Sequence, residues 1–171
     1  MFATTTFEPT DAMIHGTFEV FNASVAGVKS ISGLTWSLSM EMVPEGQYQR
    51  KAGSNSLGMT NRKGTRAVVL LTAGWQREED DAHVYAAAAA LVSAIEEKAR
   101  SLDAYDPYLY LNYAAPWQSP IASYGVDKVE SLRALRARVD PTAFFTKRVR
   151  GGFKIPDDDG SYCGSNRTDG N

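Results

Sequence analysis

The chain has 171 residues, 43% hydrophobic and 22% charged, which is enough apolar material for one ordinary domain with a sizeable core. Eighteen basic and twenty acidic residues leave a formal charge of −2, so no electrostatic case exists for nucleic acid or an anionic membrane surface. No apolar run approaches membrane-spanning length, since the longest, Ala86 to Val92, is mostly alanine.

Phe2 to Phe7, rich in threonine and aromatics and followed by Pro9, reads as a strand. Thr10 or Asp11 then caps a helix in which Ile14, Phe18, Phe21 and Val25 share one face, with Gly27 ending it. Leu34, Trp36, Leu38 and Met40 alternate with Thr35, Ser37, Ser39 and Glu41, the signature of a strand with one apolar and one polar face. Pro44 to Gly64 is polar and glycine-containing and reads as a long loop. Arg66 to Trp75 carries Ala67-Val68-Val69-Leu70-Leu71 without alternation, as a strand covered on both faces does.

Glu78-Glu79-Asp80-Asp81 opens a second helix, where a helix dipole favours negative charge; this reading is preferred to a metal site. Val84, Ala88, Leu91 and Ile95 form its buried stripe, and Lys98 and Arg100 suit its C-terminal end. Tyr108 to Tyr113 reads as the fourth strand, with Tyr108, Tyr110 and Asn112 on one face and Leu109, Leu111 and Tyr113 on the other. A third helix is expected from about Asp127 to Val139, with Val129, Leu132, Leu135 and Val139 on one side, stopped by Asp140-Pro141. From Pro156 onward the acidic, glycine-rich tail lacks bulky aliphatics and reads as disordered. The resulting fold class is α+β: an antiparallel sheet with helices on one face, leaving the other face bare.

Chemistry is harder to place. His15 and His83 lie far apart in predicted helices with no Cys or His at ligand spacing, so no metal site is expected. Cys163 sits in the tail and can form no internal disulfide, because it is the only cysteine. No Gly-x-Gly-x-x-Gly or P-loop is present. The first residues lack the basic start and long apolar centre of a secretion signal, and the sequons at Asn22 and Asn166 are permissive only, so compartment stays undecided. A tyrosine strand such as 108–113 serves either cross-strand packing or, with a neighbouring asparagine, a base and a polar contact for a ring edge.

A series of short motifs narrows this. Tyr110-Leu111-Asn112-Tyr113, Gln118-Ser119-Pro120, Ser123-Tyr124-Gly125, Asp140-Pro141 and Gly151-Gly152-Phe153-Lys154-Ile155 follow in that order. Together they resemble the C-terminal end of fungal FAD-linked oxidoreductases of the berberine bridge enzyme-like, PCMH-type family. Gly33-Leu34-Thr35-Trp36-Ser37-Leu38 and Asn55-Ser56-Leu57-Gly58 are also similar to fungal members, so the resemblance runs from about Phe2 to Ile155. It implies a substrate-binding α+β domain over 1–109, a berberine-like segment over 110–155 and a tail over 156–171.

The resemblance further implies hydride transfer from an alcohol, hemiacetal or similar small-molecule substrate to FAD, with oxygen as the expected acceptor. Tyr110 is then the first choice for the catalytic base, with Tyr113 in reserve. Asn112 and Tyr113 are the residues expected to contact the flavin, and Gln118, Tyr124-Gly125 and Gly151 to Lys154 are expected to be structural. In such enzymes the FAD-binding domain lies upstream, so this chain is expected to pack against a domain that it does not itself contain and to be inactive alone. The alternative is a non-catalytic ferredoxin-like module for small-molecule binding or dimerisation, because strand–helix–strand–strand–helix–strand is also the order of that sandwich.

Overall fold

β1 (Phe2–Phe7) forms where threonine and phenylalanine favour a strand, and it lies inside a four-stranded antiparallel sheet of order β2-β3-β1-β4. The computed structural model describes residues 1–50, 55–60, 62–149 and 151–156. β2 (Thr35–Val43) and β3 (Arg66–Gly74) pair from Thr35↔Gly74 to Val43↔Arg66, while β1 pairs with β3 from Phe2↔Thr72 to Phe7↔Ala67. β4 is only Tyr105–Asp106, pairing with Phe7 and Thr6. With α1 (Asp11–Val28) and α3 (Asp81–Ser101) as the connections, this is the split βαβ arrangement of a ferredoxin-like sandwich.

The register sorts side chains into two faces. On one, Ala3, Phe7, Ala67, Val69 and Leu71 are buried beneath Met13 of α1 and Ala88, Leu91 and Ile95 of α3. The α3 stripe is the expected one: Val84, Ala88, Leu91 and Ile95 are all buried, joined by Val92 and Ala99. Its acidic first turn is occupied, since Asp80 pairs with Arg77 and Asp81 accepts the Trp75 indole N–H at 2.6 Å.

α1 departs from expectation. Thr10 caps it through Met13 N–H as the sequence suggests, but its buried residues are Met13, Gly16, Thr17 and Val28. Phe18 is 63% exposed and Val25 is exposed as well. The helix is rolled by about one residue because α1 lies closely on α3: a Cβ on Gly16 would stand 2.5 Å from Lys98 Cε. Gly16 and Thr17 face inward together with the large Met13, Phe21 of the expected stripe packs against the same core, and Phe18 faces outward.

The second face is half covered rather than bare. Val68 joins Tyr48, Met59, Tyr108, Ile121 and Tyr124 in a second cluster, against which Leu132 of α4 (Val126–Val139) and Phe153 also pack. Ala67, Val68 and Val69 are therefore all buried, while Leu70 and Thr72 further along β3 are half-buried and Thr35, Ser37 and Ser39 are open. Leu135 and Val139, expected on the inner side of α4, are exposed. Within the expected long loop, Glu45–Gln49 forms a short helix, α2, and a second short helix, α5 (Phe144–Arg148), follows Asp140-Pro141. The tail from 157 onward, with Cys163 and Asn166, lies outside the described residues.

The predicted fourth strand over 108–113 is not formed. Pro107 follows β4 directly, and a residue without an N–H cannot extend the ladder. The chain leaves the sheet there and Leu111–Tyr113 becomes a 3₁₀ turn. Further along β1, Thr4 is served by a side chain instead: its N–H donates to Gln118 Oε1 at 3.1 Å, and Gln118 Nε2 donates to its carbonyl at 2.6 Å. Gln118 Oε1 also accepts Ala115 N–H at 2.9 Å. Gln118→Leu leaves these groups of fully buried Thr4 unpaired and is expected to cost about 2 kcal/mol in urea unfolding; an unchanged midpoint would show that solvent replaces the amide freely.

Candidate functional site

The turn at 111–113 replaces strand alternation with convergence. Tyr110 and Tyr113, which a strand would send to opposite faces, meet edge-to-face with ring centroids 4.8 Å apart. Asn112 Nδ2 donates to the Tyr110 hydroxyl at 2.8 Å. All three residues singled out in the sequence are thus brought together. Tyr108 is separated from them in role: it is buried and stacked on Tyr124, and burial pushes its phenol well above the ordinary tyrosine range.

Tyr113 reaches across to β2, where its hydroxyl donates to Glu41 Oε1 at 2.8 Å. Accepting that proton makes the carboxylate favour the neutral phenol, and with a smaller effect of desolvation it raises Tyr113 above the ordinary value. Glu41 was read from the sequence only as the polar end of an alternating strand. Glu41→Gln is expected to bring the Tyr113 titration back down toward that of a free tyrosine, as followed by NMR of labelled tyrosine rings; an unmoved titration would show that the contact does not persist in solution.

Of these groups Tyr110 and Glu41 border a cleft of about 310 Å³ on the half-covered face, lined further by Val43 of β2, Gln47 and Tyr48 of α2, Leu57, Met59, Val68 and Tyr108. A second hollow of about 290 Å³ adjoins it, sharing Gln47, Tyr48, Leu57 and Met59. Pockets of this size suit a small organic molecule. The loop carrying Leu57 and Met59 is held close: Gly58 has φ +69°, and a Cβ there would stand 1.8 Å from the Tyr124 carbonyl oxygen, so only glycine fits.

Beneath the cleft lies an ion cluster that the sequence reading missed. Asp106 Oδ2 accepts Arg62 Nε at 2.6 Å and Arg66 Nε at 2.8 Å, and its Oδ1 accepts Tyr108 N–H at 2.9 Å. Arg62 also donates to the Gly58 carbonyl, so the cluster ties β3 and β4 to the loop over the cleft. Burial pushes the Asp106 carboxyl up, but the Arg62 hydrogen bond, Tyr108 N–H and Arg66 outweigh it and hold the acid below its usual value. The separations of 44 and 40 residues leave no local signal that could have found it.

Neither histidine enters the site. His15 is exposed with Nδ1 against the Asp11 carbonyl of its own helix at 2.8 Å, and His83 is exposed on α3. Among the described residues, no group of three or more His, Cys, Asp or Glu is placed to hold a metal, and no helix is long and apolar enough to cross a membrane.

Comparison with known proteins gives relatives of two kinds. The chain is 35% identical over 160 residues to the FAD-dependent monooxygenase drtC of Aspergillus calidoustus, covering 91% of this chain and 30% of that protein. It is 32% identical over 118 residues to the bifunctional solanapyrone synthase of Alternaria solani, covering 69% of this chain and 22% of that one. It is also 38% identical over 154 residues to a protein named oligopeptidase PhomG' of Diaporthe leptostromiformis, covering 89% of this chain but only 13% of that protein. The homologues are thus in the main fungal FAD-dependent monooxygenases and oxidoreductases, at 28–39% identity. The chain spans 13–34% of the length of the curated relatives that it matches. No family model and no solved structure matches.

Proposed function

We propose that this chain is the substrate-facing domain of an FAD-dependent oxidoreductase of the berberine bridge enzyme-like, PCMH-type family, acting on an alcohol, a hemiacetal or a similar small molecule. The observation that carries this is the convergence of Tyr110, Asn112 and Tyr113, with Tyr110 lining a cleft on the half-covered sheet face, in a chain whose relatives include FAD-dependent monooxygenases.

The residues present fit the ring-facing part of such a site and not the dinucleotide cradle. A helix N-terminus with free N–H groups is a ready-made phosphate site. The first turn of α1 is capped by Thr10, and the start of α3 carries Glu78, Glu79, Asp80 and Asp81, which repel a phosphate. On this reading the FAD-binding half belongs to another domain, against which this one would pack.

A bound flavin would supply the acceptor for a hydride from the substrate carbon; this chain's part would be to take the hydroxyl proton. Tyr110 lines the cleft; to take that proton its oxygen must first have given up its own, and the Asn112 N–H donates to the oxygen that would carry the charge until the substrate proton arrives. Tyr113, with its proton already directed to Glu41, is the second candidate and a route by which a proton leaves the site. The name of the oligopeptidase relative is no guide here, since this chain aligns with 13% of it and neither histidine is hydrogen-bonded to a serine among the described residues.

The ferredoxin-like module reading shares this fold, so topology does not separate the two. Purification of the protein from its native source does: flavin absorbance in a species well above 18.7 kDa that yields peptides of this chain supports the oxidoreductase. A flavin-free species at that mass overturns it.

A further inference from the structure

We infer that the cleft between β2, β3 and the 55–59 loop selects a neutral, ring-built and largely apolar alcohol, and disfavours both sugars and carboxylates. That the bound hydroxyl is the group oxidised rests on the oxidoreductase reading; the binding preference rests on the lining alone.

The walls are Val43, Leu57, Met59 and Val68, with the ring faces of Tyr48, Tyr108 and Tyr110. Most of the apparent polarity is already committed. The Tyr48 hydroxyl donates to the Gly64 carbonyl, and the Tyr108 ring is stacked on Tyr124, which leaves its hydroxyl as the one polar atom that this side chain offers. What remains for a ligand besides that hydroxyl is clustered at one end: the Tyr110 hydroxyl and the second oxygen of Glu41, with Gln47 on the α2 side. A molecule with one hydroxyl at the Tyr110 end and a flat apolar body along the methionine and aliphatic wall matches this lining. A sugar carries a hydroxyl on nearly every carbon, and most of these would be desolvated against Val, Leu and Met with no partner.

Charge sharpens the choice. Among the described residues Glu41 is the one carboxylate or cation lining this cleft, and Arg50 belongs to the adjoining hollow. A ligand carboxylate beside Tyr110 would face the Glu41 charge at close range, where like charges repel. A hydroxyl in the same place can donate to it.

The test uses this chain and three probes in calorimetric titration: naphthalene-2-methanol, 2-naphthoate and glucose. The carbinol is expected to bind saturably, the naphthoate about tenfold more weakly and glucose without measurable heat. In Glu41→Gln the carbinol and naphthoate are expected to converge to within about threefold. Leu57→Asp, at an exposed position, is expected to weaken the carbinol about tenfold with an unchanged thermal melt. Equal binding of glucose, undiminished binding of naphthoate in the unaltered chain, or no saturable carbinol binding overturns the inference. If the carbinol binds as described but the native protein proves flavin-free, the oxidoreductase reading falls and the selectivity of the cleft stands.

Discussion

Asp106→Ala is expected to lower the unfolding free energy by about 3–5 kcal/mol, the range for removing one partner of a buried ion cluster. The reason is what it leaves behind. Two guanidinium groups, with side chains only 15% and 11% exposed, would keep their charge and lose the carboxylate at 2.6 and 2.8 Å. Tyr108 N–H would lose its acceptor in the same step. Asp106→Asn keeps an acceptor for Tyr108 and much of the shape, so its cost should be clearly smaller. The cluster also predicts a pH dependence. The folded-state acid is held below its ordinary value, so between the two values the unfolded chain binds more protons and stability rises with pH. The contribution is complete above the unfolded carboxylate value of about 4 and is lost as pH falls through the folded one. Urea unfolding of the alanine variant across that window should therefore show a flatter profile than that of the unaltered chain. Parallel profiles would mean that the arginines find other partners.

Tyr110→Phe, in the complete flavoprotein, is expected to slow reduction of the flavin by substrate about 10²–10⁴-fold, the usual span for one general base. Flavin content and substrate affinity should change little, because the ring that lines the cleft is kept and only the oxygen receiving the Asn112 N–H is lost. Stopped-flow absorbance at the flavin band reads the rate directly. Tyr113→Phe is the matched control: it removes the hydroxyl that donates to Glu41 and leaves Tyr110 in place. An unchanged rate in Tyr110→Phe with a slow Tyr113→Phe would transfer the role to the Tyr113–Glu41 pair. Unchanged rates in both would remove the tyrosines from the chemistry.

Local periodicity carried much of the fold. The alternation of Trp36, Leu38 and Met40 with Ser37 and Ser39 is the register of β2, and Val84, Ala88, Leu91 and Ile95 are the inner face of α3. Where neighbours decide, pattern misled. Phe18 outranks Thr17 in hydrophobicity, yet Thr17 is buried, its hydroxyl donating to the Met13 carbonyl, because packing on α3 and not local pattern sets which face of α1 turns inward. The tyrosine run looked like a strand, and Pro107 was the available sign that the ladder stops before it. The candidate site shows the same division. Tyr110, Asn112 and Tyr113 could be named from a motif, but their convergence depends on a turn. Glu41, Arg62, Arg66 and Asp106 are joined only by tertiary contacts across 40 residues or more, which a single sequence does not display.

Closing β1 with the amide of Gln118, and not with further strand, makes one edge of the sheet a hinged cover. An open edge invites pairing with another chain. Here the invitation is withheld by a single residue on a loop, so access to that edge is governed by how often the loop lifts. The Thr4 amide proton is its reporter: it should exchange with solvent at the opening frequency of the 115–118 turn, well ahead of neighbours bonded to β3. Association between chains, where it occurs, should then begin from a locally opened native state, without global unfolding.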